Sequence, residues 1–228
     1  MNPALAVSGR TTSLETAAKA LALASLFCLA FDAARALLRR DLDLVFLAWN
    51  LLLAWIPWWC AAAAVSARPL KRALLLAAWL AFLPNAHYVV TDLKHVHHAP
   101  DAMNWVDLMV VVSFAWTSAM LGFGSVVVVQ HLVSRARGAA AGWAAAIGAL
   151  ALSGFGVYLG RFRRWNTWDT LLDPRALLVD VWAQVRHPLH HLAGTSFSIA
   201  FAGFAITTYL TLIAISHLRS ELALEAAS

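Results

Sequence analysis

Apolar residues in this chain come in six long runs, which short polar or basic segments separate. Each run approaches the roughly 20 residues that an α-helix needs to cross the hydrocarbon core of a bilayer. The runs cover residues 20–38, 44–66, 73–90, 105–132, 142–159 and 195–218. The pattern therefore predicts an all-α fold, a polytopic transmembrane helical bundle of about six spans.

The predicted organisation has three parts: a polar N-terminal segment (1–19), a six-span domain (20–218) and a C-terminal tail (219–228). A cleaved signal peptide is the alternative for the first run, since a positive start precedes a short apolar stretch. Leu37 and Leu38 lengthen that stretch and favour a span.

The longest hydrophilic segment lies between the fifth and sixth runs. In it, Asp173-Pro174 has the form of a helix N-cap followed by proline at the first helical position. Five apolar residues then recur on one side of a helix: Leu177, Leu178, Val181, Trp182 and Val185. A short helix with charged ends suits the membrane interface, so we predict an interfacial helix between spans five and six.

The composition is that of a membrane protein. Hydrophobic residues make up 61% of the 228 residues, charged residues only 13%, and the mean hydropathy is +0.70. The net charge of +5 resides in short clusters between apolar runs, which is typical of membrane loops, so we expect no nucleic-acid partner. Cys28 and Cys60 fall inside runs and are expected to be buried thiols.

The short loops orient the protein. Basic residues without a nearby acid occupy the turns at 67–72 and 134–139, and such turns are usually cytoplasmic. With six spans, both termini share that side, and all nine aspartates fall on the opposite side or its membrane edge. We therefore predict cytoplasmic termini and an outward-facing polar surface.

The first polar cluster stands at the end of the third run. Asp92, His95 and His98 follow one another at spacings of three, so on a helix they share a face. A carboxylate and imidazoles at this spacing suit a divalent metal or an acid–base pair. The simpler alternative is a solvated loop with interfacial histidines. Pro84 frees a backbone carbonyl inside the same span, and Asn85 is positioned to satisfy such a group.

The second polar cluster directly follows the fifth run. Arginines beside tryptophans suit an anionic headgroup, because guanidinium groups bind phosphate through paired hydrogen bonds and indoles prefer the headgroup level. The cluster contains Arg161, Arg163, Arg164, Trp165, Asn166, Trp168 and Asp169. The alternative is an anchor that only holds the helix end at the interface.

Isolated ionisable groups near span ends complete the candidate chemistry. Asp32 and Arg35 lie three apart in the first span and are expected to neutralise each other. Asp107, inside the fourth span, is a candidate functional group because ionisable residues in spans are rare. Phosphate-binding glycine loops and the common hydrolase, zinc and dithiol motifs are missing from the sequence.

These clusters resemble the motifs of a bacterial membrane family known as domain of unknown function 1361. The likeness rests on residues 83–88, 91–93 and 95, on 105–108 and 113–116, and on 158–162, 164–166 and 168–169. His87 stands where a second proline is more usual, and Thr167 where serine is. The resemblance implies importance for Asn85, Asp92, His95, Asp107, Arg161, Arg164, Asn166 and Asp169. It implies a bacterial cytoplasmic (inner) membrane location but no reaction, because the family has no settled activity.

We hypothesise that both clusters form one outward-facing site, which binds or modifies an anionic lipid headgroup or an envelope precursor. The candidate binding residues are Asn85, Arg161, Arg164, Trp165, Asn166 and Trp168. The candidate catalytic residues are Asp92, His95, Asp107 and Asp169, and the candidate ligands of a divalent metal are Asp92, His95 and His98. Membrane lipids are the expected partners, and a homo-oligomer or a membrane-complex partner stays open. The alternatives are a structural or assembly subunit without catalysis and a small-solute transporter.

Overall fold

The structure is a computed structural model that describes residues 3–95, 102–163, 175, 179, 181–182, 186 and 192–226, with the backbone alone at 3–12, 94–95 and 102–103. All of the secondary structure in these described ranges is helical. The helices are α1 (Pro3–Arg39), α2 (Phe46–Ala64), α3 (Pro69–Tyr88), a 3-10 helix (Val89–His95), α4 (Ala102–Arg137), α5 (Ala139–Phe162) and α6 (Leu192–Glu225).

The six α-helices are long and apolar enough to cross a membrane, which confirms the predicted all-α fold and number of spans. They extend beyond the apolar runs, and the segment predicted as a polar N-terminus is helical from Pro3. The predicted interfacial helix is described at only five positions between 175 and 186, so it stays a prediction.

Backbone chemistry explains where several helices begin and end. Pro69 starts α3 at a position where its missing N–H has no helical partner in any case. Gly138 adopts a φ of 90° between α4 and α5, a conformation that side chains rarely tolerate. Arg40 ends α1 in the left-handed region with a φ of 57°, and its N–H donates to the Ala36 carbonyl at 2.8 Å.

The chain divides into two compact units, residues 1–132 and 133–228. In the first unit, α4 is the most buried of the described spans. Close approach at glycines accounts for part of this packing. A Cβ on Gly122 would lie 2.8 Å from the His87 Nε2, and a Cβ on Gly124 would lie 2.8 Å from the Trp58 ring. Helix α4 therefore meets α3 and α2 through two glycines on different faces.

The second unit is built on the pairing of α5 with α6. A Cβ on Gly154 would lie 2.9 Å from both the Ala202 nitrogen and the Ser198 carbonyl oxygen, so the two backbones touch there. Gly194, at the start of α6, faces the ring of Tyr158 so closely that a Cβ would overlap it. Two glycines, one on each helix, thus hold the pair together as small residues do in lipid.

Candidate functional site

Asp107 forms ion pairs with two arginines in the first unit. The Arg35 Nε lies 2.8 Å from Asp107 Oδ1, and the Arg39 Nη2 lies 2.9 Å from Asp107 Oδ2. The same Arg39 nitrogen donates to the Asn104 side-chain oxygen at 3.2 Å. Because Arg35 is buried and Asp107 nearly so, these contacts tie α1 to the start of α4 with little screening by water.

Asp41 joins this network from the short loop after α1. Its Oδ1 accepts hydrogen bonds from the Arg35 Nη1 and, at 3.3 Å, from the N–H of Asp43. The left-handed conformation of Arg40 turns the chain just before Asp41, so that this carboxylate can meet an arginine one and a half turns earlier on α1. The arrangement leaves Arg35 bridging two carboxylates.

Asp32 and Arg35, which were expected to neutralise each other, interact electrostatically but do not form an ion pair. In the described part of the chain, both ion pairs of Arg35 go to Asp41 and Asp107, and the Asp32 Oδ1 has no hydrogen-bond partner. Asp32 is 5% exposed but remains within electrostatic range of Arg35 and of both other carboxylates. Spacing by three along α1 brought Asp32 near the arginine without giving it the hydrogen bond.

Asp92 is held in a second contact, between the 3-10 helix and α2. Its side chain is 1% exposed, and its Oδ2 accepts a hydrogen bond from the Asn50 amide at 3.0 Å. Val89, one 3-10 turn earlier, belongs to the hydrophobic core of the unit, so the same helix buries both residues. Asp92 is therefore an interior carboxylate with an amide donor from a neighbouring span.

Two further motif residues lie on α3. The Asn85 amide donates to the Phe82 carbonyl at 3.3 Å, whereas the carbonyl that Pro84 leaves without its helical donor is that of Leu80, four residues earlier. His87 is buried and packs its ring against Phe123 with centroids 4.9 Å apart. Its position depends on Gly122, where α4 offers no side chain.

The arginine motif begins at the end of α5 in the second unit. Arg161 is half-buried, Phe162 is 57% exposed and Arg163 is exposed. The helix ends here, and its last carbonyls make this end favourable for positive charge. The Phe162 ring stacks on Tyr158 with centroids 5.4 Å apart, so the arginines are presented beside a fixed aromatic face.

Several predicted site residues lie outside the described residues or have no described side chain. These are His95, His98, Arg164, Trp165, Asn166, Trp168 and Asp169. Their roles stay predictions, and so does the single site expected to join the two motifs. Where side chains are described, no group of three or more His, Cys, Asp or Glu residues could hold a metal ion. The metal expected at Asp92, His95 and His98 involves two side chains beyond that search and also stays a prediction.

Sequence reasoning missed most members of the buried polar contacts. Arg39, Asp41, Asn50 and Asn104 received no role, although each pairs with a carboxylate or an arginine. Their common signal is position, because each lies at or near a helix end. A polar residue at such a helix end is a candidate partner for any ionisable group inside a neighbouring span.

Fold and polar contacts together define a multi-pass α-helical membrane protein whose charged groups gather at the ends of its spans. A model of the family described as "Protein of unknown function (DUF1361)" matches residues 49–212, and the chain belongs to this family. The match confirms the resemblance drawn from the motifs. Comparisons with curated proteins and with solved structures found no match.

Proposed function

We propose that the protein binds the anionic headgroup of a membrane lipid, and that the arginines at the end of α5 hold the phosphate. The observation that carries the proposal is the presentation of Arg161 and Arg163 beside the exposed Phe162 at the end of a span, with Arg164 next in sequence. A guanidinium has five N–H donors, so an arginine that already makes one contact can still bind phosphate oxygens.

The surroundings of the carboxylates in the first unit favour a structural role over a catalytic one. Both oxygens of Asp107 are engaged by arginines, and Asp92 is buried against an amide donor. A general base must reach a proton on its substrate, whereas Asp107 is held between two arginines and Asp92 is buried in the interior. We therefore assign Asp107 and Asp92 to holding the helix ends in place, and treat a catalytic role for His95 or Asp169 as the weaker hypothesis.

We further propose that the site faces outward from a bacterial inner membrane, with both termini in the cytoplasm. The support is the basic turn around Lys71, which is exposed and has no acid nearby in sequence. Cysteines introduced at positions 71 and 166, in a variant lacking Cys28 and Cys60, test this in intact cells. An impermeant thiol reagent should label 166 and spare 71, and the reverse pattern would refute the orientation.

Lipid binding is tested by replacing arginines with lysine, which keeps the charge but loses the paired hydrogen bonds. We expect Arg161→Lys and Arg164→Lys each to weaken phosphatidylglycerol binding to purified protein about tenfold, since hydrogen bonds to charged groups are worth roughly 1.5–3 kcal/mol. Native mass spectrometry of the detergent-solubilised protein gives the affinities.

Arg137→Lys is the matched control, because Arg137 is an exposed arginine at the end of a different span, α4. Its affinity for phosphatidylglycerol should stay at the wild-type value. Equal behaviour of all three variants would contradict the headgroup site and favour the interfacial anchor.

A structural or assembly subunit is the second candidate function. The ion pairs of Asp107 with Arg35 and Arg39 stabilise the bundle, and exposed tryptophans such as Trp49 and Trp116 offer contact surface for partner proteins. This candidate requires no lipid preference, so the lysine variants separate it from headgroup binding.

A further inference from the structure

Aromatic side chains form a continuous strip along α5 and α6, beginning at the arginine end. The Phe162 ring meets Phe197 edge to face at 4.9 Å, Phe197 stacks on Phe201 at 5.7 Å, and Phe201 meets Phe204 at 6.1 Å. Tyr158 continues the strip on α5 by stacking on Phe162. Neighbouring rings thus share contacts from the end of one helix into the apolar part of the next.

The strip runs from the end of α5 that carries the arginines toward the middle of α6. Phe204 lies seven residues beyond Phe197 on α6, about 10 Å along the axis at 1.5 Å per residue. The two ends of the strip are open, with Phe162 57% and Phe204 51% exposed, while Phe197 and Phe201 are partly buried. An extended hydrocarbon chain, at about 1.25 Å per carbon, covers this length with roughly eight to ten methylene groups, so the strip fits within one leaflet, which is half of a hydrocarbon core roughly 30 Å thick.

The rings are held in place before any ligand binds. Gly194 lets α6 begin directly against Tyr158, and Gly154 brings the backbones of the two helices into contact further down. Phenyl rings have only two side-chain torsions, and each of these rings also packs on its neighbour, so ordering them on binding costs little entropy. The aliphatic residues that are exposed on the same helix, such as Ile199 and Leu210, lack such mutual stacking.

We infer that this strip binds one acyl chain of an anionic glycerophospholipid whose phosphate lies at the α5 arginines. The inference rests on the proposed headgroup site and extends it by naming the ligand class, a two-part lipid rather than a soluble anion. Charge and apolarity are arranged in the order that such a lipid presents them: Arg161 and Arg163 stand at one end and Phe204 at the other. A single lipid molecule can therefore place its phosphate at the arginines and its acyl chain on the aromatic rings.

The test compares three lipids on the full-length protein in a neutral detergent, by native mass spectrometry: long-chain phosphatidylglycerol, phosphatidylcholine with the same chains, and dihexanoyl phosphatidylglycerol. The phosphatidylcholine arm reports on the headgroup, and the short-chain arm reports on the tail. For the Phe201→Leu/Phe204→Leu double variant we expect about three- to tenfold weaker binding of the long-chain anionic lipid. Binding of dihexanoyl phosphatidylglycerol should stay unchanged, which also shows that the variant is folded.

Phe27→Leu is the matched control, because Phe27 is an exposed phenylalanine on α1 in the other unit, and its lipid affinities should equal those of the wild type. Long-chain phosphatidylglycerol that binds better than phosphatidylcholine but does not respond to the double variant would overturn the acyl-chain site and leave the headgroup site standing. Equal binding of phosphatidylglycerol and phosphatidylcholine would overturn the headgroup proposal itself.

Discussion

Replacing Asp107 by asparagine is expected to lower the free energy of unfolding by about 3–5 kcal/mol, because it leaves two arginines near the interior without their shared counter-charge. Arg35 is 3% exposed and its Nε donates to Asp107 at 2.8 Å, so water cannot take over the lost interaction. Arg39 loses its ion pair to the other oxygen of the same carboxylate. Denaturation in mixed micelles, followed by the fluorescence of the eleven tryptophans, measures the change.

Asp43→Asn is the matched control for this loss. Asp43 is an exposed aspartate in the loop after α1, and its backbone N–H, not its side chain, contacts the network. Its replacement should change the free energy of unfolding by no more than about 0.5 kcal/mol, as is usual for surface positions. If the two variants have the same free energy of unfolding, the contacts of Asp107 with Arg35 and Arg39 do not stabilise the protein. Asp107 would then need another role.

The spans could be predicted from the sequence because the length of an apolar run is a local property that the bilayer thickness selects. The end of α5 could be predicted for the same reason, since Arg161 and Phe162 stand where an apolar run stops. Side-chain contacts between residues far apart in the sequence could not be predicted in this way. Arg35 and Asp107 are 72 residues apart in sequence, whereas Asp32, only three residues away from Arg35, offered the obvious local pair.

Asp92 illustrates the same limit on site prediction. Its motif marked it as important, and the predicted chemistry placed it in a polar surface cluster with His95. The structure instead buries it and supplies a donor from Asn50, 42 residues earlier on α2. Which helices are neighbours decides whether a carboxylate at a span end faces solvent or the interior, and hydrophobic periodicity carries little of that information when a helix is apolar on all sides.

Adding a single methyl group at Gly154 should separate α5 from α6. The new Cβ would stand 2.9 Å from the Ala202 nitrogen and from the Ser198 oxygen, and these are backbone atoms that cannot rotate away as a side chain could. We expect Gly154→Ala to lower the free energy of unfolding by about 1–3 kcal/mol, the usual cost of overpacking. The loss of stability should be larger in the second unit than in the first, because the contact between α5 and α6 is the main helix contact of the second unit.

The same substitution six residues earlier provides the control. Gly148 lies on the exposed side of α5 with open space around a Cβ, so Gly148→Ala should leave stability unchanged or raise it by up to about 1 kcal/mol, because alanine is the better helix former. If glycine-to-alanine replacement lowers the free energy of unfolding at position 154 and raises it at position 148, the contact between the helices requires glycine at 154. Helix propensity alone would give the same sign at both positions. Stabilisation by Gly154→Ala would mean that α5 and α6 do not approach as closely as described, and the aromatic strip that bridges them would lose its fixed geometry as well.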